Sequence, residues 1–454
     1  MEIPACFAHY TAYYHLWQAC RIDRIEVIFM DIHVVQAGET LYSVAAQYGV
    51  TVEDVAQFNG FSPPYPLAVG QSVLILHPDV TANARAGDTV FSVAERFGVS
   101  ATQILRNNPQ LGGNAALTEG QRLVISLRER GTRSVEVSGY AYPFYDEATL
   151  RGILPYATYL SPFTYGISVL GELVELEDAP LVRLARQYGV LPLFHLSSLT
   201  EEGVFSSERA GEVLQSPVLQ RRLAEALVTA MEAAGYRGLD VDFEYVGGEN
   251  AAAYAQFVGF LRQQVNARGQ ELFTALAPKT SAGQAGVLYE GHDYAALGRN
   301  ADAVLLMTYE WGYTYGPPLP VSPINAVRRV LDYAVTELPP SKVFLGFSNY
   351  GYDWTLPYVR GQSRAQSISN VRAVELAVAY GAEIQYDETA RAPFFRYTED
   401  GSIHEVWFED ARSAYAKLSL VPEYGFRGVG IWNFMRPFPT GFSLLHAMFD
   451  LVKG

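Results

Sequence analysis

The stretch GLDVDFEYV, residues 238–246, sets three carboxylic acids, Asp240, Asp242 and Glu244, at every second position among Leu239, Val241 and Phe243. Alternation at a period of two is a strand pattern, in which residues i, i+2 and i+4 share one face. The acids then rise along that face at roughly 6.6 Å intervals. No Lys or Arg stands on it to neutralise them. Carboxyl groups this close do not all ionise at neutral pH, so at least one is expected to keep its proton. A carboxyl held protonated is the general acid that a glycosidic oxygen needs as a leaving group. The same triplet is also a set of hard oxygen ligands suited to Ca²⁺ or Mg²⁺. Taken alone, the three residues leave both chemistries open.

The elements that would hold these acids follow from the chain on either side. Beyond the polar segment LRERGTRS (127–134), apolar runs alternate with amphipathic stretches. The runs are LPLFHL (191–196), GLDVDFEYV, LFTALAP (272–278), AVLLMTY (303–309), KVFLGFS (342–348) and GVGIWNFM (428–435). Ser216-Pro217 predicts an N-cap followed by proline at the first helical position, with the helix ending before Gly235. Strand–helix alternation on this scale predicts an α/β fold, a (β/α)8 barrel over 135–454. In such a barrel the three acids point inward and climb toward the rim where sites form. The connection from about 355 to 410 is too long for one helix and holds short strand candidates, so it is expected to be a small α+β insertion serving the site.

A repeat occupies the front of the chain. AGETLYSVAAQYGVT (37–51) matches AGDTVFSVAERFGVS (86–100) at an offset of 49 residues. Each copy continues to a Gly-Gln pair and an apolar strand, VGQSVLIL (69–76) and EGQRLVIS (119–126), giving strand, helix, helix, strand. Gly49 suits a left-handed cap of the first helix. Thr51 with Asp54, and Ser100 with Gln103, have the spacing of capping boxes. Asn59 and Asn108 close the second helices. Residues 1–32 form an atypical leader, and Met30 directly before DIHVVQAGETLYSVA is the expected natural start.

The net charge of −15 excludes partners that need a basic face, namely nucleic acid and anionic membranes. Thirty Tyr, 24 Phe and five Trp favour sugar stacking instead. The two cysteines, Cys6 and Cys20, provide no disulfide framework or zinc site, and the eight histidines form no HExxH or HxH pair. No metal and no cofactor are expected. The leader has neither a basic start nor an unbroken apolar run, so it reads as neither signal peptide nor membrane span.

The repeats over 33–77 and 82–127 resemble LysM modules, which bind N-acetylglucosamine-containing glycans, peptidoglycan or chitin. The resemblance implies grooves at Gly38, Glu39 and Thr40 and at Gly87, Asp88 and Thr89, although both threonines also stand where they would cap a helix. Two weak modules on one chain raise the effective affinity for a polymer. YRGLDVDFE resembles the fourth-strand motif of glycoside hydrolase family 18, with Arg237 where that motif has its first Asp. MTYE (307–310) resembles the sixth-strand motif, with Glu310 in place of Asp, and GIWNF (430–434) resembles the eighth strand.

This likeness implies a retaining, substrate-assisted mechanism. Glu244 is the acid and base, Asp242 orients the acetamido group, and Asp240 shares a proton with Asp242. Tyr309 binds the acetamido oxygen and Trp432 lies beneath the sugar. Met307, Glu310, Tyr352, Trp354 and Phe163 are further candidates for lining the cleft. Two LysM modules ahead of such a barrel resemble spore peptidoglycan hydrolases, the cortical-fragment lytic N-acetylglucosaminidases. That implies a location in the spore and a peptidoglycan substrate. A chitinase, or a silent glycan-binding coat protein, are the alternatives.

Overall fold

The architecture was obtained as a computed structural model that describes residues 30–454. The leader, with Cys6 and Cys20, lies outside the described residues. Each front module pairs two antiparallel strands, Met30–Val34 with Ser72–Leu76 and Pro78–Asn83 with Arg122–Leu127. Two helices fill each module: Leu41–Tyr48 and Val52–Asn59 in the first, Val90–Phe97 and Ala101–Asn107 in the second. Thr40 and Thr89 are N-caps in true capping boxes, each exchanging hydrogen bonds with the Ser three residues on. Thr51 and Ser100 also cap their helices without a full capping box: Asp54 accepts from the Thr51 hydroxyl at 2.7 Å, not from its backbone N–H, and Gln103 does not reach back. Asp54 instead pairs with Arg122 of the other module, and Gln103 donates to the Ile125 carbonyl at 3.0 Å. Asn59 and Asn108 do more than end helices. Each side chain ties its helix to the module's last strand, Asn59 through both Leu74 backbone groups and Asn108 through both Val124 groups.

Eight parallel strands close into a barrel: Ser134–Ala141, Tyr159–Pro162, Leu191–Ser197, Gly238–Asp242, Glu271–Leu276, Ala303–Leu306, Val343–Ser348 and Gly428–Trp432. The eighth strand pairs with the first, which completes the ring. The helix between strands three and four runs Pro217–Ala234, capped by Ser216 and stopped at left-handed Gly235. Leu239, Val241 and Phe243 are fully buried against the surrounding helices, as the period of two requires.

The insertion follows strand seven and carries a five-stranded antiparallel sheet with the helix Asn370–Ala379. It begins at Tyr350, ahead of the expected position 355, because YGYDW is the sheet's own strand, Tyr350–Leu356, and not a loop over the cleft.

The front modules are packed onto the barrel. Phe58, Leu74, Leu76 and Val124 belong to the same apolar cluster as the barrel's helices and strands. Buried Arg106 donates to the carbonyls of Pro155 and Leu451 at 2.8 and 3.0 Å. The first module also meets the insertion, where Ile384 N–H donates to Val69 O at 2.9 Å, and the helix after it, Ala411–Leu418, from which Arg412 donates to Gly70 O at 3.1 Å. Gly70 has φ +79°, and any Cβ there would lie 1.9 Å from Ile384 O, so only glycine permits this approach.

Candidate active site

Strand four ends at Asp242, so Glu244 stands just beyond the sheet at the rim. Its backbone is pinned by buried His292. The Ala277 N–H donates to His292 Nδ1 at 3.1 Å, which leaves Nε2–H to donate to Glu244 O at 3.1 Å. Phe243 stacks on Tyr254 with ring centres 5.6 Å apart and holds the same turn from behind. Below it, Asp240 and Asp242 are 2% and 6% exposed. Ser161 donates to Asp240 Oδ2 at 3.0 Å, while Asp240 Oδ1 and Asp242 Oδ1 have no partner.

Electrostatics follow from that burial. Loss of water pushes Asp240 upward, and the Asp242 charge pushes it further, against the pull of His195, Ser161 and Tyr140. Burial raises Asp242 to about 7. Burial, then Asp242 and Glu310, raise Glu244 to about 8. The cluster therefore holds protons at neutral pH, with one of them on the group nearest the opening. Tyr309 is pushed well above its ordinary value by burial and the acids around it, so it stays a phenol and a donor. Among the described residues no three His, Cys, Asp or Glu side chains converge as a metal site.

A cleft of ≈ 610 Å³ opens above the acids, within the range of small-ligand sites. Asp242, Glu244, Met307, Tyr309, Glu310, Trp432 and Phe163 all line it. The Trp432 ring lies against Phe163 at 4.9 Å and Tyr140 at 5.4 Å. Non-proline cis peptides join Phe163 to Thr164 and Trp432 to Asn433.

Glu310 is held at φ +67°, and its carboxylate accepts hydrogen bonds from the Tyr350 and Tyr352 hydroxyls. Tyr352 thus acts on Glu310 and does not line the cleft. Trp354 is away from the cleft: it is 1% exposed inside the insertion's core, with Nε1 donating to Gly316 O at 2.9 Å. The expectation for Trp354 fails because the alternation in YGYDW belongs to the insertion sheet.

Several lining residues escaped the sequence reading: Tyr140, Tyr142, Phe205, Tyr245, Tyr289 and Tyr313. Tyr140 and Tyr142, at alternate positions in GYAYPF, carried the period-two signal that would have found them.

The sequence profile described as Glycosyl hydrolases family 18 matches residues 205–436, around this cleft. The chain belongs to glycosyl hydrolase family 18. LysM domains match at 33–75 and 84–126, ahead of the family 18 barrel. The cortical fragment-lytic enzyme of Bacillus subtilis (strain 168) is 39% identical over 93% of this chain and 99% of its own length. The spore cortex-lytic enzyme of Bacillus cereus is 34% identical, with a TM-score of 0.79 over 93% of this chain and 99% of that one. That of Bacillus megaterium QM B1551 is 36% identical, with a TM-score of 0.79 over 94% and 99%.

In the LysM modules of this family 18 chain, Glu39 and Asp88 are engaged internally. Glu39 accepts from Gln36 N–H at 2.7 Å and contacts His33 Nε2 at 2.8 Å. Asp88 accepts from Arg85 N–H and from Arg96. Thr40 and Thr89 are engaged as caps. Around Gly38 and Gly87 the space is open. Exposed Tyr42 and Phe91 stand beside these loops at matching repeat positions. No described helix is long and apolar enough to cross a membrane.

Proposed function

We propose that this chain hydrolyses the β-1,4 bond following N-acetylglucosamine in spore cortex peptidoglycan fragments, with retention of configuration. The observation that carries this reading is the rising series of buried, cation-free acids ending at Glu244 in an aromatic cleft. Protonated Glu244 donates to the leaving oxygen as the C–O bond breaks. The substrate's own acetamido oxygen attacks the anomeric carbon, giving an oxazolinium ion. Asp242 holds the acetamido N–H and balances the positive charge, and the Tyr309 hydroxyl donates to the acetamido oxygen. Glu244, now a carboxylate, then takes a proton from the incoming water. Trp432 forms the floor beneath the sugar ring, with Met307, Glu310 and Phe163 around it.

The two LysM modules would hold the polymer through the backbone and side chains at Gly38–Thr40 and Gly87–Thr89, and the spore is the expected location. The full-length similarity to cortical fragment-lytic enzymes supports cortex over chitin as the substrate. The test digests purified cortex fragments and chitin oligomers with the parent and with Glu244→Gln, and analyses new reducing ends. N-acetylglucosamine ends from cortex, abolished by Glu244→Gln, are expected. Muramic acid ends would overturn the bond assignment. Faster cleavage of chitin oligomers would overturn the substrate, and an active Glu244→Gln variant would overturn the mechanism.

A further inference from the structure

The two sides of the cleft differ in what stands beside them. On one side Tyr142, Phe163 and Phe205 meet ring to ring. On the side of the insertion, Glu310 and Tyr313 line the cleft, and the side chains next outward include two arginines, Arg436 and Arg364. Arg436 follows Trp432 in a turn tied to the end of strand seven. Asn349 Nδ2 donates to Asn433 O at 2.8 Å and to Arg436 O at 3.1 Å, and Asn349 Oδ1 accepts the Asn433 N–H at 3.1 Å. The base of Arg436 is therefore fixed relative to Trp432 in the cleft. Its guanidinium donates from Nη2 to Ser367 Oγ at 3.1 Å. Ser367 is the register partner of Tyr352, whose hydroxyl donates to Glu310 at 3.0 Å. Arg364 lies over the Tyr315 ring at 5.8 Å, and that ring meets Tyr313 at 6.4 Å. The hairpin carrying Arg364 is bonded to the loop after strand six, with Ala365 N–H donating to Thr314 O at 2.7 Å.

Neither arginine holds an acid. With 48 acidic residues against 33 basic ones, an arginine of this chain finds a carboxylate easily, as Arg209, Arg328 and Arg412 do with Glu201, Glu423 and Asp410. Among the described residues no Asp or Glu lies within ion-pair distance of Arg436 or Arg364. Glu310, the acid of this wall, is taken by the Tyr350 and Tyr352 hydroxyls. Arg436 is half-buried, which lowers its guanidinium, and only Tyr352 and Tyr350 act in the other direction. It remains a cation at any working pH. A guanidinium has five N–H donors in a planar fork, and Arg436 commits one of them, to Ser367. A charge drawn partly out of water without a partner costs free energy, and an anion bound to it offsets that cost. An open fork of donors beside a cleft fits a carboxylate.

We propose that Arg436, with Arg364 beyond it, binds a carboxylate that the glycan carries next to the cleaved bond, and so selects an acid-bearing glycan over a neutral one. The inference rests on the substrate reading above. In an alternating polymer, an N-acetylglucosamine unit over Trp432 has a muramic acid unit across the scissile bond. That unit carries a carboxylate, either its own lactyl group or the end of a peptide attached to it. Chitin oligomers carry none. No covalent step is involved: the guanidinium holds the substrate and leaves the chemistry to Glu244 and Asp242. The carboxylate is unchanged between bound substrate and transition state, so the contact acts on KM more than on kcat.

The experiment is a cycle over protein charge and substrate charge. The parent and Arg436→Gln digest cortex fragments and the same fragments with their carboxyls amidated by methylamine. Amidation should lower the parent's kcat/KM by about 10-fold, mostly through KM, the scale of one hydrogen-bonded contact to a charged group. In Arg436→Gln that preference for charged fragments should vanish. Arg364→Gln, at a more exposed position, should remove about 2- to 5-fold of it. Salt at about 0.5 M should shrink the parent's preference, because charges near the surface are screened. A preference of equal size in parent and Arg436→Gln would make the arginine structural and overturn the inference, as would a parent with no preference. Fragments stripped of peptide by an amidase separate the two sources of charge: a preference that survives assigns the lactyl acid, and one that disappears assigns the peptide end. A parent that releases no N-acetylglucosamine ends from untreated fragments overturns the substrate reading itself. That failure is told apart from the others because no turnover of charged fragments is then left to compare.

Discussion

Two sets of buried acids sit in one barrel domain and are treated in opposite ways. Glu409, 1% exposed, receives both of its oxygens' main contacts from buried Lys417, whose Nζ donates at 2.6 and 2.9 Å. Asn370 Oδ1 accepts the Glu409 backbone N–H nearby, and Ser348 donates to the carboxylate at 3.4 Å. Asp240 and Asp242 are buried nearly as deeply, and the only basic side chain within ion-pair distance of Asp242 among the described residues is neutral His195. An acid neutralised by its neighbour is structural, and its removal disturbs packing. An acid left without a counter-charge raises the free energy of the folded state, and its proton becomes available for chemistry.

The contrast can be broken first at the unpaired site. Asp242→Asn keeps the shape of the floor but cannot balance positive charge, so turnover of cortex fragments should fall by about 10²- to 10⁴-fold with the fold intact. Steady-state rates and circular dichroism on the same sample check both halves. At the paired site the outcome should invert. Lys417→Met strands Glu409 as a buried charge and should cost about 3–5 kcal/mol of stability, read from urea midpoints. Adding Glu409→Leu to it should return most of that loss.

The pH dependence of stability sharpens the same distinction. Asp242 and Glu244 keep protons in the folded chain up to about 7 and about 8. In the unfolded chain they release them near pH ~4. Between those limits the folded state binds more protons, so stability is greatest at the acid end and falls as pH rises through the folded values. Asp242→Asn should flatten that slope and be more stable than the parent at pH 9, by about 2 kcal/mol in denaturant titrations. The smallest effect is expected far from either acid set. Thr40→Ala removes a cap and should cost about 1 kcal/mol with no pH dependence between 5 and 9.

What could be read beforehand was local. The period of two in GLDVDFEYV oriented all three acids, the offset repeat located both modules, and Ser216-Pro217 marked a helix start to the residue. What escaped depends on barrel closure. His195 in LPLFHL is a single polar residue in an apolar run, and nothing along the chain says that Asp240 will be its cross-strand neighbour. Trp354 failed for a related reason: alternating aromatics announce a strand but not which sheet it joins. Arg237, where the family motif has an acid, precedes strand four and donates its backbone N–H to Pro192 O at 2.8 Å.

The docking of the front modules removes the slack between them and the barrel. Gly70 lies against Ile384, and Arg106 is sunk between Pro155 and Leu451. On the proposed function, a glycan held by the modules would meet the cleft at one offset set by this packing, with no linker length left to sample.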